Sequence, residues 1–114
     1  MKLIIAVFRP EKLDEVREAL VSHNITRMTI SRVSGHGRAR HQIALFRGRE
    51  VDIPLLPKVR MEIACNDDFK DEIVETILSV ARTDGQIPGD GKIFVQHLEE
   101  CIRIRTGETG PDAI

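Results

Sequence analysis

The stretch KLIIAVFRPEKLDEVREALVSH, residues 2–23, predicts a buried strand followed directly by an amphipathic helix. Its first seven residues, Lys2–Phe8, form a continuous apolar run, which is typical of a strand covered on both faces. Pro10 ends that run and suits the first turn of a helix over 11–23. One helical stripe is apolar, and its members are Leu13, Val16, Ala19 and Leu20. Asn24 can adopt the left-handed conformation that closes the helix.

The rest of the chain predicts four more strands and one more helix. The strands are expected over Ile25–Val33, Val59–Ala64, Lys92–Leu98 and Cys101–Ile104. In the second of these, alternation places Val59, Met61 and Ile63 on one face. Asp67 or Asp68 is expected to cap the second helix, whose apolar stripe is Phe69, Ile73, Ile77 and Val80.

The order of these elements is strand, helix, strand, repeated once. Two such halves in one small chain predict an α+β fold, a ferredoxin-like βαββαβ sheet with both helices on one face. The open face of that sheet must be covered, and association of subunits would cover it. The tail from Arg105 to Ile114 has no periodicity and is expected to be mobile unless it docks.

Composition bounds the function classes. A chain of 114 residues and 12.9 kDa suits one domain, 1–114, and its 41% apolar and 31% charged residues are globular values. A net charge of −1 makes nucleic acid an unexpected partner. No apolar run approaches the roughly 20 residues that span a bilayer, so membrane insertion is not expected. Two cysteines make no disulfide framework, and the cytoplasm is the expected location.

The interval from Ser34 to Leu56 is far longer than the connections of about 4–6 residues that are usual in compact domains. It is locally basic, with arginines at Arg38, Arg40, Arg47 and Arg49. Long loops that persist in compact domains are usually functional, so this interval predicts a binding element.

Glycines and cations cluster in three places. In TDGQIPGDGKIF, residues 83–94, Gly89 and Gly91 allow close backbone approach to an anion, and Lys92 adds a charge. A solvated hairpin turn explains the same residues. Strand alternation would place Arg103 and Arg105 on one face, either to grip phosphate or to guard a sheet edge. The third cluster is GHGR, residues 35–38.

Taken in order, these motifs resemble the PII signal-transduction family over essentially the whole chain. The most specific match is GDGKIFV, residues 89–95, followed by IRIRTG, residues 102–107. The segments P…KLDEVREAL, GHGR, RG and LPKV also match, at Pro10–Leu20, Gly35–Arg38, Arg47–Gly48 and Leu56–Val59.

The resemblance implies a homotrimer that binds ATP or ADP in three clefts between neighbouring subunits. The T-loop, which docks on target proteins, would be about 36–56, the B-loop about 82–91 and the C-loop about 105–114. By position, the resemblance implies that Gly89, Asp90, Gly91 and Lys92 line the phosphates, with added charge from Arg38, Arg103 and Arg105. Gly35 and Gly37 are further expected nucleotide-binding residues. Thr29, Glu62 and the backbone near Ala64 would surround the adenine. Lys58 would lie where the family binds 2-oxoglutarate.

Departures from the family pattern change what is expected. Val51 replaces the T-loop tyrosine that many members have uridylylated, and the chain contains no tyrosine. Ala39 replaces a glutamine that helps to hold Mg²⁺, which in the family bridges ATP and 2-oxoglutarate. We therefore expect no usual Mg²⁺-dependent 2-oxoglutarate site, unless Gln42 or the B-loop, two residues longer than usual, supplies another ligand.

Two functions from different classes remain open. The first is a sensor without enzymatic activity, which controls a transporter, metabolic enzyme or regulator through its T-loop, in nitrogen regulation or in a different transport or carbon system. The second is a small enzyme that hydrolyses a nucleotide phosphate, for which Asp90 and Glu62 are the candidate bases. No catalytic or metal-binding residue is expected in the first case.

Overall fold

A computed structural model describes residues 1–37, 43–46, 49–52 and 55–114, with side chains for 1–37 and 55–114. Its strands are β1 (Lys2–Phe8), β2 (Thr29–Gly35), β3 (Ile43–Phe46), β4 (Arg49–Asp52), β5 (Leu56–Cys65) and β6 (Gly91–His97). Its α-helices are α1 (Leu13–Ser22) and α2 (Lys70–Ala81). Short 3₁₀ helices over Pro10–Lys12 and Asp67–Phe69 lead into the two α-helices, and a third, Gly110–Ala113, ends the chain.

Four strands form one antiparallel sheet in the order β2-β5-β1-β6. The predicted ferredoxin-like α+β fold is thereby confirmed, because each helix connects one central strand to one edge strand. In the register, Ile5 of β1 lies opposite Glu62 of β5 and Phe94 of β6. This register aligns the carboxyl end of β1 with the start of β6, where Phe8 lies opposite Gly91.

The hydrophobic core lies between the helices and one face of the sheet. The predicted face of β5 is confirmed, since Val59, Met61 and Ile63 are all buried. Both helices contribute to the same cluster, through Val16, Leu20, Ile73 and Ile77. Burial of each such side chain stabilises the fold by about 1.5–3 kcal/mol, which explains why short helices hold their places.

Two predicted features of the second half are wrong. Cys101–Ile104 is not a strand, because Ile102 makes only an isolated bridge to Thr109. Neither Asp67 nor Asp68 caps α2 through its side chain; instead, the Asp67 carboxylate lies 3.0 Å from the amino group of Met1. That hydrogen bond is the largest influence on Asp67 and holds the pKa of its carboxyl below the usual value.

Other differences concern the edges of elements. Asn24 adopts the predicted left-handed conformation, with φ 64°, but β2 begins only at Thr29. The Ile25 amide donates to the Leu20 carbonyl over 2.9 Å, so this residue still belongs to the closure of α1. Phe69 precedes α2 and is half exposed, so it lies outside the apolar stripe.

The tail is docked rather than loose. Ala113 is buried, and the Arg27 guanidinium donates to the Ile114 carbonyl over 2.7 Å. Part of the long interval after β2 is also regular, because β3 and β4 pair as an antiparallel ribbon. Among the described residues, no helix is long and apolar enough to cross a membrane.

Candidate functional site

A cleft of about 960 Å³ lies where the ends of three strands meet. It is bounded by the end of β2, the start of β5 and the turn that enters β6. The predicted site residues that line it are Gly35, Gly37, Lys58, Gly89, Gly91 and Lys92. Val7, His36, Leu56, Pro88 and Phe94 complete the lining. The fold therefore brings two of the three clusters from the sequence to one place.

The turn before β6 depends on glycine for its shape. Gly89 and Gly91 have φ values of 104° and 114°, which side chains rarely adopt. A Cβ atom at Gly91 would lie 1.8 Å from the Val7 carbonyl oxygen, so no side chain fits there. Glycines with positive φ in a turn can present backbone amides to an anion, and both of these glycines line the cleft.

Asp90 ties the two ends of its loop together. One carboxylate oxygen accepts from the Thr83 amide over 2.9 Å, and the other accepts from the Thr83 hydroxyl over 2.8 Å. The second oxygen also accepts from Arg9 Nε over 3.1 Å. Partial burial would raise the pKa of Asp90, but these hydrogen bonds and the charge of Arg9 outweigh it and lower the pKa.

Lys58 joins the same loop to strand β5. Its ammonium donates to the Gly89 carbonyl over 2.6 Å, while its aliphatic stem packs beside Gly35. Burial is the main cause that lowers the pKa of Lys58, and the charge of Arg9 lowers it further. Lys58 and Lys92 both line the cleft, so an anion with several charged oxygens would be favoured there.

The residues expected to surround the adenine lie on neighbouring strands and are not part of the cleft lining. Thr29 of β2 lies opposite Glu62 of β5, and Ala64 follows two residues later on the same face. The Glu62 carboxylate lies 2.8 Å from an Arg60 guanidinium nitrogen. These residues share the sheet face that the helices do not cover.

The two tail arginines do not line the cleft of their own chain. Arg103 donates to the Asp112 carbonyl over 3.0 Å and lies 3.4 Å from the Glu108 carboxylate. Since the segment is not a strand, the alternation that would aim Arg103 and Arg105 together is lost. Arg105 is exposed in a turn. Arg38 and Ala39 lie outside the described residues, as does the Val51 side chain.

Sequence reasoning missed Arg9, which contacts the loop twice. Besides Asp90, its guanidinium reaches the Pro88 carbonyl over 2.9 Å. One sequence feature could have indicated this role. Arg9 directly follows the first predicted strand, and in a ferredoxin-like sheet the end of that strand lies beside the start of the last strand, where the glycine turn is found. Within the described part of the chain, no group of three or more His, Cys, Asp or Glu residues could hold a metal ion.

Comparison with known proteins shows the family. The family model described as "Nitrogen regulatory protein P-II" matches residues 1–108. Curated relatives include two proteins named nitrogen regulatory protein P-II, from Pasteurella multocida at 50% identity and Haemophilus influenzae at 49%. Each alignment covers the whole of this chain and the whole of the relative. Nitrogen regulatory protein GlnK1 of Methanosarcina mazei is 46% identical over the whole chain and 97% of its own length. The chain belongs to the P-II family of nitrogen regulatory proteins.

Proposed function

We propose that this P-II protein binds ATP or ADP in its cleft and controls a target protein through the segment 36–56, in nitrogen regulation. The observation that carries the proposal is the convergence of Gly35, Gly37, Lys58 and the glycine turn 88–92 on one cleft. The turn offers backbone amides and the lysines offer charge, a combination that suits a polyphosphate. The relatives' names as regulatory proteins support the regulatory role.

The assembly proposed is a homotrimer, in which each cleft lies between two subunits. The sheet face away from the helices carries Leu3, Ile5, Val7 and Phe94, and Phe94 is half exposed. In the tail, Ile102 is 58% exposed and Ile104 fully exposed, which is unusual for isoleucine. Association would bury these surfaces, and it could bring Arg103 and Arg105 to a neighbour's cleft.

The hydrogen bonds and ion pairs of the two candidate bases favour a sensor over a nucleotide-hydrolysing enzyme. Asp90 accepts three hydrogen bonds and its pKa is lowered, so its carboxylate is poorly suited to take a proton. Glu62 is paired with Arg60. The lowered pKa of Asp90 is the opposite of the raised pKa that suits a general base.

Control of the target is assigned to the long interval between β2 and β5. In the chain, the paired strands β3 and β4 lie between the end of β2 and the start of β5, which both border the cleft. A ligand that contacts Gly35 and Gly37 would therefore act at the base of the interval. The target is expected to be a transporter, a metabolic enzyme or another regulator.

Calorimetry with ADP and with ATP tests the proposal. The wild-type protein should bind both, and Lys92→Ala should weaken both by about 1.5–3 kcal/mol because a charged contact to phosphate is lost. Lys70→Ala is the matched control, since Lys70 lies at the start of α2 and pairs with Asp71. Equal affinities in all three proteins would contradict the site. ATP turnover above about one per second would favour the enzyme instead.

A further inference from the structure

We propose that Arg9 is a positioning residue, which holds the glycine turn in its nucleotide-binding shape through Asp90 and Pro88. The inference rests on the proposed nucleotide binding and adds a residue outside the cleft lining. Arg9 is 81 positions from Asp90 in sequence, yet its side chain is only 17% exposed and contacts the loop twice.

The first contact fixes the ends of the loop. Arg9 Nε and the Thr83 hydroxyl share one oxygen of Asp90, while the Thr83 amide donates to the other oxygen. Thr83 begins the loop and Asp90 lies near its end, so the Asp90 carboxylate joins the two ends of the loop. We name this arrangement the clasp. Arg9 anchors the clasp to the end of β1, which the sheet holds rigidly.

The second contact fixes the orientation of a peptide plane. The Arg9 guanidinium donates to the Pro88 carbonyl, so that oxygen points toward Arg9. In a planar trans peptide, the N–H of the next residue points the opposite way. The Gly89 amide is therefore directed away from Arg9. Lys58 acts similarly on the next plane, because its ammonium holds the Gly89 carbonyl and thus directs the Asp90 amide away from Lys58.

Lysine cannot replace arginine in this arrangement. The two contacts use two different nitrogens of one planar guanidinium, Nε and Nη2. A lysine ammonium is a single point on a flexible stem, although it carries the same charge. Arg9→Lys therefore separates positioning of the turn from simple attraction of a phosphate. Ordering the turn before the ligand arrives lowers the entropy lost on binding.

A double-mutant cycle on ADP affinity tests the inference. Arg9→Lys and Asp90→Asn should each weaken ADP binding, by about tenfold, and the double variant should be no weaker than the worse single variant. Arg17→Lys is the control, because Arg17 makes only an exposed pair with Asp14 on α1. Additive losses, or unchanged affinity in Arg9→Lys, would overturn the positioning role.

Hydrogen exchange of the protein without ligand supplies the second readout. In Arg9→Lys, the amides of residues 83–91 should exchange faster, while those of α1 and α2 should be unchanged. A purely structural role would speed exchange throughout the chain and would count against the proposal. If wild-type protein fails to bind ADP, the proposed function fails, whereas unchanged exchange in 83–91 rejects the Arg9 clasp itself.

Discussion

A Cβ atom built on Gly91 would lie 1.8 Å from the Val7 carbonyl oxygen, so strand β6 can begin beside β1 only with glycine there. The same residue has φ 114° and lines the cleft. One position thus joins the sheet to the proposed binding turn. Its requirement for glycine comes from the fold itself, before any ligand is considered.

Gly91→Ala should therefore destabilise the protein by about 3 kcal/mol or more, because a backbone clash adds to an unfavourable φ. Gly85→Ala is the control in the same loop. Gly85 also has a positive φ, 83°, but no atom lies within 4 Å of its added Cβ. The free energy of unfolding of that variant should fall by only about 1–2 kcal/mol. Urea unfolding measures both, and equal losses would show that the contact with Val7 is unimportant.

The Asp90 clasp should make stability depend on acid. The pKa of Asp90 in the folded protein is below its ordinary value of 3.8. Between the lowered pKa of Asp90 in the folded protein and its ordinary pKa in the unfolded chain, the unfolded chain binds more protons than the folded protein. The free energy of unfolding therefore falls as the pH falls through this range. Asp90→Asn removes the titrating group. The difference in unfolding free energy between wild type and Asp90→Asn should be constant above about pH 5 and should shrink below about pH 4.

A difference that stays constant down to about pH 2 would contradict this reading of Asp90. Asp14→Asn is a useful comparison, since Asp14 is almost fully exposed on α1. Its removal should cost little unfolding free energy, because an exposed ion pair contributes little to stability. Both profiles are best measured by urea unfolding at fixed ionic strength, because surface charge effects vary with salt.

Arg103→Ala should weaken binding of ADP and ATP by about 1.5–3 kcal/mol, because in the proposed trimer its guanidinium would contact phosphate in a neighbour's cleft. Glu108→Gln is the matched control, since it removes the carboxylate beside Arg103 and keeps the guanidinium. Calorimetry should show near-normal affinity for that control. Unchanged affinity in Arg103→Ala would remove this residue from the phosphate site.

Ala39→Gln should create binding of 2-oxoglutarate, which we do not expect of the natural sequence. An amide oxygen can help to hold Mg²⁺, whereas a methyl group offers no ligand. Titration of 2-oxoglutarate into protein saturated with Mg²⁺ and ATP measures the effect. Tight micromolar binding by the wild type, about −8 kcal/mol, would show that another ligand replaces residue 39. No binding by the variant would place the difference elsewhere in the loop.

The fold could be predicted largely because its core follows strict periodicities. The alternating residues of β5 bury the side chains that the sequence indicated. Lys2–Phe8 forms the predicted strand, but it is not fully covered on both faces, because Leu3 and Val7 are only partly buried while Ile4, Ala6 and Phe8 lie in the core. The predicted final strand was wrong because Ile102 and Ile104 are typical strand residues, yet in the part of the chain that the structure describes they make one isolated bridge, from Ile102 to Thr109. Local pattern gives the propensity of a segment, and pairing depends on the rest of the molecule.

The site could be predicted only in part, since its residues come from distant segments. Gly89, Gly91 and Lys92 form one sequence motif, and the structure places Lys58 beside it. Arg9 was not predicted because its partners are about 80 positions away, so no local pattern links it to the glycine turn. The assignment of the cleft to adenine nucleotides stays a prediction.

Native mass spectrometry of the protein with ADP tests the proposed assembly and the proposed nucleotide binding together. We expect an assembly of three chains that takes up one ADP per chain, to a limit of three. Arg103→Ala should keep the three-chain assembly and lose ADP occupancy, because the arginine would act across the subunit boundary. A single chain that binds ADP, or a three-chain assembly that takes up none, would show that nucleotide is not bound in clefts between subunits.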